Sequence, residues 1–306
     1  MKRDRRPLTG VLLFDKDLGL SSNAALTKLK YLFNALKAGH TGTLDPFASG
    51  LLPVCFGEAS KFASYMLDAD KTYEATIRLG RTTTTGDREG EVLQESHVTL
   101  TAQDVSLTLP HFLGQLKQMP PMHSALKFQG QPLYLLARQG IEIKREPRDI
   151  FIYQLDLLDF SAPLLKLRVK CSKGTYIRVL AEDIGKSLGC GGMLQDLRRI
   201  ATGGFKIDKA YSIGQLSEMD AVARDACLIT PDNLISHLPE IVLNGQYLLN
   251  LVMGKSCVND LGILPGLYRL YSNAPKVFIG LIECNTESIS CKRMMSPEYI
   301  KRRDLN

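Results

Sequence analysis

The run Gly39-His40-Thr41-Gly42-Thr43-Leu44-Asp45-Pro46-Phe47-Ala48-Ser49-Gly50 limits what this chain can do more than any other stretch. It carries a single carboxylate, Asp45, between glycines that let the backbone turn sharply or let a ligand approach the main chain. Pro46 disfavours the α region for Asp45, so that residue is expected to sit extended or in a turn, with its side chain aimed by the backbone. Such a loop can hold a carboxylate rigidly against a substrate. It can equally be a Gly-rich connection in which Asp45 makes a local Asx-turn. Spacing alone does not separate the two.

The rest of the chain sets the frame for that loop. At 306 residues it is long enough for about two domains, and it can bury roughly three quarters of its unfolded surface. Hydrophobic residues at 44% and charged residues at 23% are the composition of a soluble globular protein. No apolar run approaches the roughly 20 residues of a membrane span. The N-terminal run Met1-Lys2-Arg3-Asp4-Arg5-Arg6 is basic but has no apolar segment behind it, so it does not read as a signal peptide and a cytoplasmic location is expected. Cys55, Cys171, Cys190, Cys227, Cys257, Cys284 and Cys291 form no CxxC pair, and the histidines are equally dispersed, which argues against a disulfide framework or a zinc site. A net charge of +6 suits a polyanionic partner without requiring one.

Taken in order, Gly10-Val11-Leu12-Leu13-Phe14 is a short apolar run that predicts a buried strand. Ser21-Ser22-Asn23 offers an N-cap to a helix in which Leu26, Leu29, Leu32, Phe33 and Leu36 recur at helical spacing, expected to run to near Gly39. Lys71 to Gly80 alternates as a strand exposed on one face. The hairpin after it, Arg81 to Gly90, offers hydroxyls and Asp87 that could bond ribose or base edges. Residues 117–148 carry a net charge of +4, including Lys127, Lys144 and Arg145, with Phe128 and Tyr134 interleaved. That pattern suits phosphate contact and base stacking, although a solvated helix surface would look similar. Leu164 to Cys171 alternates as a strand and leads into a strand-turn-helix over Ser172 to Gly185. Beyond the linker-like stretch Thr230 to Pro239, glycines punctuate short strands, with Gly266–Tyr271 and Lys276–Leu281 as an expected pair in a small β-barrel.

Beyond Gly50 the chain continues Leu51-Leu52-Pro53-Val54-Cys55-Phe56-Gly57-Glu58-Ala59-Ser60-Lys61. Together with Cys171-Ser172-Lys173-Gly174-Thr175-Tyr176-Ile177-Arg178 and Leu194-Gln195-Asp196-Leu197-Arg198-Arg199, this string resembles the signature segments of the bacterial tRNA pseudouridine synthase B (TruB) family. The resemblance implies that Asp45 is the catalytic residue. It implies that Tyr73 lies against the target base, that Leu197 lines the uracil pocket, and that Arg178 pairs with Asp45. A guanidinium there favours the charged carboxylate. His40 becomes a candidate wedge for the space a flipped base vacates. Lys16 and Lys61 are expected to support the loop or bind phosphate, and Asp87, Lys127, Lys144 and Arg145 to contact RNA. One departure stands out: the family's DKPxGxSS is here Asp15-Lys16-Asp17-Leu18-Gly19-Leu20-Ser21-Ser22, and losing the proline should leave that turn less stiff.

The implied fold is α/β (α+β), the pseudouridine synthase fold on a largely antiparallel mixed sheet. It would span residues 1–238, with an RNA-binding thumb inserted at about 117–148 and a PUA-like β-barrel over 239–306. The implied activity is isomerisation of the T-loop uridine of tRNA, nominally position 55, after extrusion of the base. Asp45 would act as nucleophile at C1′ or C6, or as a base toward a glycal-like intermediate, and the sequence leaves these routes open. No cofactor or metal is called for. The expected partner is the tRNA T-stem-loop, met by a monomer without a membrane, and without guide RNA because the resemblance implies that guide-dependent relatives largely lack the thumb. Two other classes remain: a non-catalytic tRNA-folding chaperone, and a hydrolytic glycosylase, which would need a second carboxylate to place a water.

Overall fold

The apolar run at Gly10 forms a strand, Gly10–Lys16, whose consecutive residues are apolar because both of its faces are covered. In the computed structural model, which describes residues 5–304, Leu12 and Phe14 enter one core while Val11 and Leu13 enter another. Met1 to Asp4 of the basic N-terminal run lie outside the described residues. The main sheet runs in the order Gly10–Lys16, Ala48–Phe56, Gly192–Thr202, Lys71–Leu79, Leu164–Cys171, Arg148–Ser161, Gly114–Gln118, with Ala38–His40 and Phe205–Lys206 added at the side. Its pairings are antiparallel except for Gly192–Thr202 against Ala48–Phe56. The central strand Gly192–Thr202 came out of the sequence only as a motif, without an element assigned to it.

Helices Ser22–Leu32 and Ile177–Ser187 cover one face, burying Leu29, Leu180 and Ile184 against Leu12, Phe14 and Ile77. Ser21 caps the first helix as its sequence predicts, accepting from the Ala24 amide. That helix stops earlier than the leucine spacing suggests. Asn34 adopts φ 50°, a left-handed conformation asparagine tolerates, and the chain turns out with Leu36 58% exposed.

The opposite face of the Gly10–Lys16 and Ala48–Phe56 strands packs on the C-terminal segment. Val11, Leu13, Leu51, Cys55 and Phe62 share a core with Phe278, Ile279, Leu281 and Ile282, and the Phe62 and Phe278 rings meet edge to face at 5.3 Å. The C-terminal sheet has the order Glu240–Val242, Gly266–Tyr271, Phe278–Cys284, Ser288–Met294, Cys257–Val258. The expected barrel is realised as a curled half-barrel, because the two outermost strands do not pair with each other. Among the described residues no helix is long and apolar enough to cross a membrane.

Candidate active site

The Asp45 loop is held through its neighbours. The buried Ser22 hydroxyl donates to the Leu44 carbonyl and accepts from the Leu44 amide, both at 2.8 Å. The Gly19 amide donates to the Pro46 carbonyl at 2.8 Å, and the Ala48 amide closes a turn on the Asp45 carbonyl at 3.1 Å. Gly50 ends the loop at φ +104°, where a Cβ would lie 2.3 Å from the Arg199 carbonyl oxygen, so no other residue fits there. The turn that lacks the family's proline has its own brace. Lys16 is fully buried beneath it and donates to the carbonyls of Asp17 at 3.0 Å and Leu20 at 2.6 Å. Burial pushes the Lys16 ammonium down to about 8, with Asp17 and Asp45 opposing.

Arg178 stands at the start of helix Ile177–Ser187. Its Nη2 donates to Asp45 Oδ2, and its Nη1 lies 3.2 Å from Asp87 Oδ2. One planar fork therefore spans two carboxylates, and each fixes its aim at the other. Asp87, expected to contact RNA, instead has a side chain only 3% exposed and turned to Arg178. Its Oδ1 accepts from the Thr85 hydroxyl at 2.6 Å and the Glu89 amide at 3.1 Å, leaving Oδ2 to Arg178. Asp45 keeps a 43% exposed side chain beside this buried pair.

The sheet supplies the third wall. Tyr73 is the register partner of Arg199, and Ala75 that of Leu197, so by the two-residue period of a strand Tyr73, Leu197 and Arg199 project from one face. Arg199 is 2% exposed. It donates to the carbonyls of Leu51 at 2.7 Å, Gly42 at 3.3 Å and Thr43 at 3.5 Å, and makes no carboxylate ion pair among the described residues. Burial pushes the Tyr73 phenol up, with Arg199 pulling the other way by charge and hydrogen bonding. His40 ends an edge strand, its Nδ1 accepting from the Gly42 amide at 3.4 Å, and burial with the Arg199 charge pushes its imidazole down.

These pieces enclose a cavity of about 250 Å³ bounded by Asp45, Tyr73, Tyr176, Arg178, Leu197 and Arg199, with His123 to Ala125 of the insertion at its rim. It is smaller than a typical drug-sized pocket and suits one planar ring. The other predicted residues lie elsewhere. Lys61 donates to Glu58 Oε2 at 2.7 Å and to the Met294 carbonyl at 3.0 Å, tying the C-terminal segment on. In the insertion, Lys127 is exposed and the Lys144 side chain is 92% exposed. Arg145 is occupied by the carbonyls of Ile143 and Pro120, both at 3.1 Å. Sequence reasoning missed Ser22 and Arg199. For Arg199 a signal existed, since it stands two residues after Leu197 and must share its face.

Residues 30–177 match the family model described as TruB family pseudouridylate synthase (N terminal domain), and residues 178–242 the tRNA pseudouridylate synthase B C-terminal domain. A Thiobacillus denitrificans protein named tRNA pseudouridine synthase B is 50% identical over 296 residues, 97% of this chain and 99% of that one. The chain belongs to the TruB family of pseudouridylate synthases. The Dechloromonas aromatica protein of the same name is 50% identical over 279 residues, 91% of this TruB family member and 93% of its relative. A chain in the crystal structure of a Cbf5-Nop10-Gar1 complex shares the fold, with a TM-score of 0.73 at 22% identity over 95% of this chain and 86% of that one. This TruB family member thus has the mixed α/β pseudouridine synthase fold.

One titrating group abuts the site. Glu182, on the Arg178 helix, is half-buried, and a Cβ on Gly86 would lie 2.8 Å from its carboxylate. Burial first, then Asp183 and Asp87, push its carboxyl up to about 7, with Arg178 opposing. The folded state therefore holds a proton there that the unfolded state has released. This contribution to stability is complete below the unfolded value of about 4.5 and is lost as pH rises through about 7. Glu182→Gln should accordingly narrow the difference between melting temperatures measured at about pH 5 and about pH 8. An unchanged difference would remove Glu182 from that window.

Proposed function

We propose that this tRNA pseudouridine synthase acts on the T-loop uridine, nominally position 55, with Asp45 as the reacting carboxylate. The observation that carries the reading is the Asp45–Arg178 pair at the edge of a cavity walled by Tyr73 and Leu197. A uridine stacked in a folded loop must leave its stack to enter such a cavity. Tyr73 then lies against the uracil ring, Leu197 lines the pocket beside it, and Arg178 holds the aim of Asp45. The C1′–N1 bond breaks, the uracil turns in place, and C1′ rejoins at C5, which releases its hydrogen. Asp45 serves either as nucleophile at C1′ or C6 or as the base that removes a ribose proton. The isomerisation is redox-neutral and transfers no group to an acceptor, so the reading calls for no cofactor.

The catalytic unit is residues 1–238, with 117–148 as a thumb over the RNA and 239–306 as a PUA-like RNA-binding unit. With its own thumb the enzyme would work as a monomer without guide RNA, in the cytoplasm where tRNA is modified. His40 remains the candidate wedge beside the cavity. Lys127 and Lys144 are exposed cations of the thumb, Lys144 with Glu146 at 4.0 Å, whereas Arg145 is spent on holding the thumb's base together. Lys144→Gln should weaken tRNA binding and reduce the slope of log affinity against log salt by somewhat less than about 1. An unchanged slope would take Lys144 off the RNA.

The assignment is tested by tritium release from C5 of uridine-labelled, unmodified tRNA. Release by the wild-type protein is expected. Tight tRNA binding with no release would point instead to a folding chaperone.

A further inference from the structure

We propose that Gln118 is a positioning residue through which the stalk of the insertion sets the aim of Arg178. Gln118 ends the strand Gly114–Gln118, is the register partner of Arg148, and so stands where the insertion leaves the sheet and where it returns. It is 4% exposed. Its side-chain amide engages both backbone groups of one residue: Nε2 donates to the Tyr176 carbonyl at 3.0 Å, and Oε1 accepts from the Tyr176 amide at 2.7 Å. This is the double bond pattern of a β-ladder pair, made by a side chain in place of a strand.

Tyr176 is the residue from which the Arg178 helix starts, and no side chain caps that helix from within its own segment. A helix start leaves backbone donors without partners, so what lies beside it decides where it sits. Gln118 supplies that fixture from the other side of the sheet edge. Tyr176 also borders the cavity, and His123, Ser124 and Ala125 rim the same cavity from the insertion. The insertion's two stalks are joined by Arg145, which donates to the Pro120 carbonyl at 3.1 Å. Displacement of the stalks is thereby passed through Gln118 to Tyr176, and two residues later to the guanidinium that spans Asp45 and Asp87.

The inference rests on the reading that Asp45 and Arg178 carry the reaction. Its test is steady-state kinetics of Gln118→Met, which keeps the side-chain length and removes both bonds, with Asp45→Asn run alongside. The expected result is a fall in kcat of about tenfold with KM for tRNA within about twofold of wild type, in protein that melts cooperatively. Unfolded, inactive protein would also lower the apparent kcat at unchanged KM, so kcat is referred to the active fraction counted by stoichiometric tRNA binding in the same preparation. A rise in KM at unchanged kcat would make Gln118 an RNA-binding determinant and overturn the proposal, as would wild-type values for both. Should Gln118→Met not fold, Gln118→Glu, which keeps the acceptor for the Tyr176 amide and loses the donor, carries the same expectation and the same refutations. If Asp45→Asn turns over normally, the site reading itself fails. If Asp45→Asn is inactive while Gln118→Met is normal, only the present inference does.

Discussion

Asp45→Asn is expected to abolish turnover, by on the order of 10⁴-fold or more, while tRNA affinity stays within about twofold. The substitution preserves volume and leaves the loop's fixtures in place, because these reach the backbone of Leu44, Asp45 and Pro46 and not the Asp45 side chain. What it removes is the negative charge, and a neutral amide is neither a nucleophile at sugar or base carbon nor a base toward a ribose proton. Tritium release from C5-labelled tRNA and filter binding, performed on one preparation, separate the two quantities. Turnover in a clean Asp45→Asn preparation would overturn the assignment of the site.

Arg178→Met should be inactive as well, but for a reason that also reaches the fold. It leaves the Asp87 carboxylate, 3% exposed, without its cation. Removing one partner of a buried pair costs about 3–5 kcal/mol, since the remaining charge stays buried uncompensated. Adding Asp87→Asn to Arg178→Met should therefore recover a large part of that stability in denaturant unfolding and recover no activity. Equal stability of the single and double variants would show that Thr85 and Glu89 already satisfy Asp87 without Arg178.

Asp45, Tyr73, Arg178 and Leu197 were legible because each sits in a short string whose spacing is specific, and the fold brings all four to one cavity. What escaped the sequence depends on partners far along the chain. Asp87 lies in a turn of threonines and glycines that looks the same whether solvated or buried, and only Arg178, distant in sequence, distinguishes the cases. Arg199 reads as an ordinary strand charge, yet its nearest acceptor is a carbonyl 148 residues away. The first helix was overextended because Leu36 keeps the apolar spacing, while the backbone had already reversed at Asn34. Local pattern records which face of an element is apolar; it does not record which backbone carbonyl a buried cation will find.

The core shared between the C-terminal sheet and the back of the Gly10–Lys16 and Ala48–Phe56 strands bears on how the halves of this protein can be dissected. Cutting away residues from 239 onward would uncover Val11, Leu13, Leu51, Cys55 and Phe62 at once, and would strip Lys61 of the Met294 carbonyl. The strand laid bare is the one that leads out of the Asp45 loop. A shortened enzyme that fails on tRNA would thus be reporting a catalytic half without its rear wall, and the failure could not be charged to lost RNA contacts.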